Sequence, residues 1–254
     1  MVKNIDSNKA WDIIDDDITQ FNERQYLNKY RNTNFIIENL DGEISSYTEL
    51  TILDIGTGGG ANLYHIAKAF QQHHFTGIGI NKHYIEMAKK RHYDLGIKNT
   101  SFHIQDFSKD DLDNGFDIIG SSQVLNIIDC NKATKVLEQS FEKAIRGVFI
   151  FSLLTDSLLD YEINITDYYF DKVVPYNIYS IPKIESMAKI HGYFLKIKKW
   201  FEIDTDLPKT HLGRGTFTIR TDENKRIMFT DVLHLPWYFL YFERNKIDKN
   251  KHYD

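Results

Sequence analysis

The run Asp54-Ile55-Gly56-Thr57-Gly58-Gly59-Gly60 sets four glycines in five positions behind a carboxylate. Glycine admits positive φ and lets a ligand approach the backbone with no Cβ in the way. Placed where a strand hands over to a helix, such a run is a cradle, because ligands of open α/β sheets bind beyond the strand C-termini. Gly56-x-Gly58-x-x-Ala61 also satisfies the loose dinucleotide pattern G-x-G-x-x-G/A, a weak signal by itself. Asp54 argues against a pyrophosphate, since the two would repel. A ligand with cationic groups suits it better. Opposite charges ~4 Å apart in a partly screened cleft attract by several kcal/mol before desolvation.

Other side chains offer reactive chemistry with less context. His211 lies in the glycine-bearing stretch 208–215 and is the first candidate for a general base. Lys209, His211 and Arg214 together would suit an anionic acceptor such as a phosphate or a sugar nucleotide. Tyr161, Tyr168, Tyr169 and Tyr176 follow a strand and would shape a pocket or fill a core. His65, His83 and His92 fall on expected helices and His103 on a strand, so they read as structural or solvated. No spacing of His, Cys, Asp or Glu resembles a metal site.

The elements that must carry these residues alternate regularly. Residues 1–45 read as a helical cap, with Tyr26 and Tyr30 on a plausible lid. Strands are expected at 51–55, 75–80, 102–104, 116–119 and 148–151, with helices at 61–71, 83–95 and 132–145 between them. Alternation of this kind implies right-handed crossovers and a parallel sheet covered on both faces. Beyond it come a short helix at 184–190 and a strand at 193–203. A hairpin around Asp222–Lys225 lies within an insertion at 204–235. A last strand at 236–244 and a polar tail at 245–254 close the chain. The expected fold is a single α/β domain: a Rossmann-like, doubly wound, mostly parallel sheet of seven strands with its cofactor core at 46–203.

With the strand, the D-x-G-x-G-x-G motif and the elements after it laid out, the chain resembles the class I S-adenosylmethionine-dependent methyltransferases, small-molecule branch, over about residues 45–200. The resemblance implies that Asp54, Gly56, Thr57, Gly58 and Gly60 hold the methionine moiety of S-adenosyl-L-methionine. It implies that Ile80 packs on the adenine, that Asp106 accepts from its exocyclic amine, and that the Phe107 N–H meets a ring nitrogen. Ser122, after the fourth strand, would meet the cofactor's amino acid end, and Gln123 the acceptor side with Tyr168, Tyr169 and Arg214. Two departures stand out. Gly79 occupies the place of the acid that usually grips the ribose, leaving Asn81 as a substitute. Asn126 and Ile127 stand where relatives often carry Glu and His. The expected activity is methyl transfer to an oxygen or nitrogen of a small metabolite. A non-catalytic binding subunit of the same fold and an NAD(P)-dependent oxidoreductase remain as alternatives.

Composition narrows the partners. The chain has 254 residues, 42% hydrophobic and 26% charged, with a net charge of −5. It lacks the broad positive face that duplex DNA or tRNA demands, and it has no Asn/Asp-Pro-Pro-Tyr/Phe segment. No run reaches the ~18–20 apolar residues of a membrane span, and no signal peptide is evident. The one cysteine, Cys130, excludes an intrachain disulfide. The expectation is a cytoplasmic monomer or homodimer.

Overall fold

The computed structural model describes residues 23–168, 172–210 and 215–245. Helices α1 (Arg31–Ile44), α2 (Ala61–Ala69), α3 (Lys82–Asp94), α4 (Cys130–Lys143) and α5 (Ile181–Ile190) surround a central sheet. Residues 23–27 are also helical. The sheet is built from β1 (Thr51–Ile55), β2 (His74–Gly79), β3 (Thr100–Ile104), β4 (Ile118–Ser122) and β5 (Gly147–Thr155), joined by β9 (Tyr193–Trp200) and β13 (Trp237–Arg244). Its order is β3-β2-β1-β4-β5-β13-β9. The first five strands are parallel, and β13 runs antiparallel to both neighbours.

This is the expected Rossmann-like, mostly parallel sheet, with one addition. The two-residue strand β8 (Tyr179–Ser180) pairs with the end of β5 and makes eight. The order reverses between β1 and β4, and the crevice beyond that switch point is where such sheets bind ligands. One face is covered by α1, α2 and α3 through Ile36, Leu40, Leu63, Ile66, Ile85 and Ala88. The other is covered by α4 and α5 through Val136, Phe141, Ile184 and Ala188.

Three differences from the sequence expectation bear on the architecture around the sheet. The fourth strand runs over Ile118–Ser122, not 116–119, because its register is set by β1 and β5 (Ile52↔Ile118, Ser122↔Phe151). Gly and Ser are poor strand formers, so pairing on both edges overrides propensity here. Asp117 instead anchors the strand's entry, accepting from the Thr51 N–H at 3.0 Å and from Arg146 Nε at 2.8 Å. Helix α5 begins at Ile181, three residues early, because Ser180 accepts from the Lys183 N–H and Pro182 occupies the first turn. The tyrosine-rich stretch holds a hairpin that periodicity missed, β6 (Asn164–Asp167) with β7 (Lys172–Pro175).

The insertion at 204–235 is a three-stranded antiparallel sheet, β10 (Thr216–Arg220), β11 (Arg226–Thr230) and β12 (Leu233–His234). Met228 and Leu235 bury beside α1 in the main core, so the insertion is part of one packed body. Arg31 of α1 pairs with Asp204 at 2.7 Å at its edge.

Candidate functional site

The glycine run links β1 to α2 and is bent back by three left-handed residues, Gly56 (φ 72°), Gly58 (φ 55°) and Gly60 (φ 79°). The Gly56 and Thr57 amides both donate to Ile78 O of β2, at 2.9 and 3.0 Å. Each glycine has its own reason. A Cβ on Gly56 would lie 2.4 Å from a Val124 methyl, whereas Gly58 faces open space. Gly60 is pressed from behind: a Cβ there would meet Ala88 at 2.8 Å and the Tyr26 hydroxyl at 2.9 Å.

Beside this loop lies an open cleft. Of the sequence candidates, Gly56, Gly58, Ile80, Asn81, Asp106, Phe107 and Gln123 line it. The loops after β1, β2, β3 and β4 therefore converge, as the resemblance requires. Gly79 lines it too, and the walls gain Tyr84, Val124, Ile127 and Ile128, which sequence reasoning did not select. The hydrophobic character of 124–128 was legible, but only the 3-10 turn at Leu125–Ile127 turns it toward the cleft.

Asp54, Thr57, Gly60 and Ser122 are not wall residues of the cleft. Asp54 is the penultimate residue of β1 and lies between Gly77 and Gly120 in the sheet. The space a side chain at Gly120 would fill is taken by the Phe149 ring. Only 8% exposed, the carboxyl is pushed up by burial to about 7, with Thr57 pulling the other way.

Asp106 does two things at once. It lines the cleft and caps its own turn, accepting from the Ser108 N–H (3.1 Å) and hydroxyl (2.6 Å) and pairing with Lys109 at 2.8 Å. Burial would raise its pKa, but Lys109 and Ser108 outweigh it and hold the carboxyl below its ordinary value. Asn81 is the N-cap of α3, its side-chain oxygen accepting from Tyr84 N–H at 3.2 Å. Gln123 holds a left-handed conformation (φ 62°) at the cleft wall while its N–H donates to Phe151 O at 2.7 Å. Non-glycine residues adopt this conformation infrequently; Asn224 and Asp231 share it.

The acceptor-side expectations fare differently. Tyr168 is 90% exposed at the end of β6 and does not reach the cleft. Lys209 is occupied by Asp231 at 2.7 Å. Tyr169, His211 and Arg214 lie outside the described residues. Tyr26 is buried, and its hydroxyl donates to Gly59 O at 2.6 Å. Among the described residues no helix is long and apolar enough to cross a membrane, and no cluster of three His, Cys, Asp or Glu is arranged to hold a metal ion.

Residues 46–209 match a family model described as a methyltransferase domain. No curated protein matches the chain. Among solved structures, the chain is similar to magnesium protoporphyrin IX methyltransferase from Synechocystis PCC 6803, crystallised with bound SAM. That match has 13% identity over 96% of this chain and 99% of that one, with a TM-score of 0.62. It is similar to an S-adenosylmethionine-dependent methyltransferase from Clostridium acetobutylicum ATCC 824, with 13% identity over 88% and 92% and a TM-score of 0.55. A YcgJ protein from a Bacillus species matches with 16% identity over 84% and 98%, at a TM-score of 0.54. At these identities the structural likeness speaks for the fold.

Proposed function

Because the chain belongs to the methyltransferase family whose domain spans residues 46–209, we propose that it uses S-adenosyl-L-methionine to methylate an oxygen or nitrogen of a small metabolite. The observation that carries this reading is the convergence of the left-handed glycine turn with Ile80, Asn81, Asp106 and Phe107 on one cleft, with the buried carboxyl of Asp54 in the strand that leads into the turn. A carboxylate desolvated to that degree gains most from a cationic partner, and a methionine ammonium is one. When bound, the cofactor supplies a sulfonium-activated methyl group.

The chain's own residues would bind and orient. Gly58, with open space around it, lets the ligand reach the backbone. Ile80 offers an apolar face for a purine. Asp106, held ionised by Lys109 and Ser108, accepts a hydrogen bond from an exocyclic amine beside the Phe107 N–H. Asn81 supplies a polar group on the wall that also holds Gly79. The acceptor would enter past Gln123 and the apolar side chains of Ile127 and Ile128, which exclude water from the transfer path. Methyl transfer from a sulfonium is an in-line displacement, so alignment is the main demand on the protein.

Isothermal titration with S-adenosylmethionine and S-adenosylhomocysteine tests the reading. Micromolar binding of both is expected, and no binding at millimolar concentration would sink it. A thermal shift with NAD or NADP instead would support the oxidoreductase alternative.

A further inference from the structure

The loop that would hold the cofactor is gripped from its back by two buried side chains on separate elements. Tyr26, 8% exposed, donates from its hydroxyl to Gly59 O at 2.6 Å. His92 of α3, 2% exposed, sets Nε2 3.0 Å from Gly60 O and Nδ1 2.9 Å from Thr100 Oγ1. A carbonyl can only accept, so Nε2 carries the proton and Nδ1 accepts from the Thr100 hydroxyl. Burial lowers the pKa of this histidine, which keeps the ring neutral and that tautomer in place.

The two rings meet edge to face at 6.0 Å, and Tyr64 of α2 completes the cluster 5.4 Å from Tyr26. The segment carrying Tyr26 is itself pinned at two further points. Glu23 accepts from Arg91 Nε at 2.9 Å, and Gln25 O lies 2.7 Å from His65 Nε2 of α2. Segment 23–27 and α3 therefore reach two consecutive carbonyls of one loop, with α2 bracing the segment through His65 and Tyr64.

We propose that Tyr26 and His92 are positioning residues that set the peptide planes of the cofactor loop. The proposal rests on the cofactor reading above. In a trans peptide the C=O and the following N–H point in opposite directions. Gly60 O also accepts from the Tyr64 N–H at 2.8 Å, the first bond of α2; held by that bond and by His92 together, it aims the Ala61 N–H the other way, out of the start of α2. No side chain caps that helix end, since Gly60 is its N-cap, so the first-turn amides have no internal acceptor. Holding Gly59 O fixes the peptide whose N–H closes the turn onto Thr57 O at 3.0 Å. Gly60 lacks a Cβ because the clasp comes too close to allow one: its nearest neighbours there are Ala88, Tyr26 and His92.

The test compares Tyr26→Phe and His92→Leu with Tyr193→Phe. The last removes another buried hydroxyl, which donates to Ala144 O and lies away from the cleft. Amide hydrogen exchange of residues 56–61 is read first, without ligand, and S-adenosylhomocysteine titration second. Loss of one such hydrogen bond is expected to weaken binding about fivefold to tenfold and to speed loop exchange. Tyr193→Phe should lower the melting temperature and change neither readout. His92→Gln, which retains an N–H donor, should recover part of the affinity. Unchanged loop exchange in both clasp variants would overturn the proposal, as would unchanged affinity in both. A wild-type protein that does not bind S-adenosylhomocysteine would instead overturn the cofactor reading. The ligand-free exchange then decides the clasp alone.

Discussion

The Asp54 carboxylate is the charge that a cationic ligand at the glycine turn would meet. The structure buries it so fully that its pKa rises from 3.8 to about 7, and a cation must displace the proton to use the charge. Affinity for S-adenosylhomocysteine should therefore tighten as pH rises from 6 toward 7, by up to about tenfold per unit, and level off above. Asp54→Asn should abolish that slope in a titration series. The same shift acts on folding with the opposite sense. Between pH ~4 and 7 the folded protein keeps a proton that the unfolded chain has released, so this group's contribution to stability falls as pH rises through that window and is gone above it. Gly79 offers a second residue-scale test. A Cβ there would meet only Ile85 Cδ1 at 3.4 Å, an ordinary contact, and its backbone is not left-handed. Gly79→Asp should therefore fold normally. If Asn81 already serves the ribose, the added carboxylate changes affinity less than threefold, and a gain beyond about tenfold would show that the ribose contact is missing in the natural chain.

At the scale of elements, the sequence was most legible where hydrophobic runs alternate with amphipathic helices. β1, β2, α2, α3 and the glycine turn between them fall within two or three residues of expectation, because each carries its own periodicity and stop signal. Legibility failed where partners rather than the segment decide. Gly120, Ser121 and Ser122 become strand only through β1 and β5 on either side. The hairpin β6–β7 and the short β8 hide in a stretch whose tyrosines suggested a pocket. The cleft was legible through its glycines and Asp106, while Val124, Ile127 and Ile128 reach it by a backbone turn that no pattern announces. The start of α5 was readable in hindsight, for Ser180-Ile181-Pro182 is a cap followed by a proline in the first turn. Ser180→Ala should cost about 1–2 kcal/mol in urea unfolding, since it removes the cap and the bond to Ser157 O together.

Across the whole molecule, the insertion and the cap share one core with the sheet. Phe35 of α1 touches the rings of Phe151, Phe201 and Phe239, each from a different part of the chain. Met228 of the insertion joins the same cluster. Met228→Ala should lower stability by about 2–5 kcal/mol in a single cooperative transition. An early, separate melting phase would mean that the insertion folds independently. The sheet order carries a temporal meaning as well. β13 lies between β5 and β9 and is hydrogen-bonded to both, yet among the described strands of this sheet it is the last to leave a ribosome. Until residues 237–244 emerge, two long strands wait with open edges, and nascent chains paused before that point would be the ones that chaperones must shield from one another.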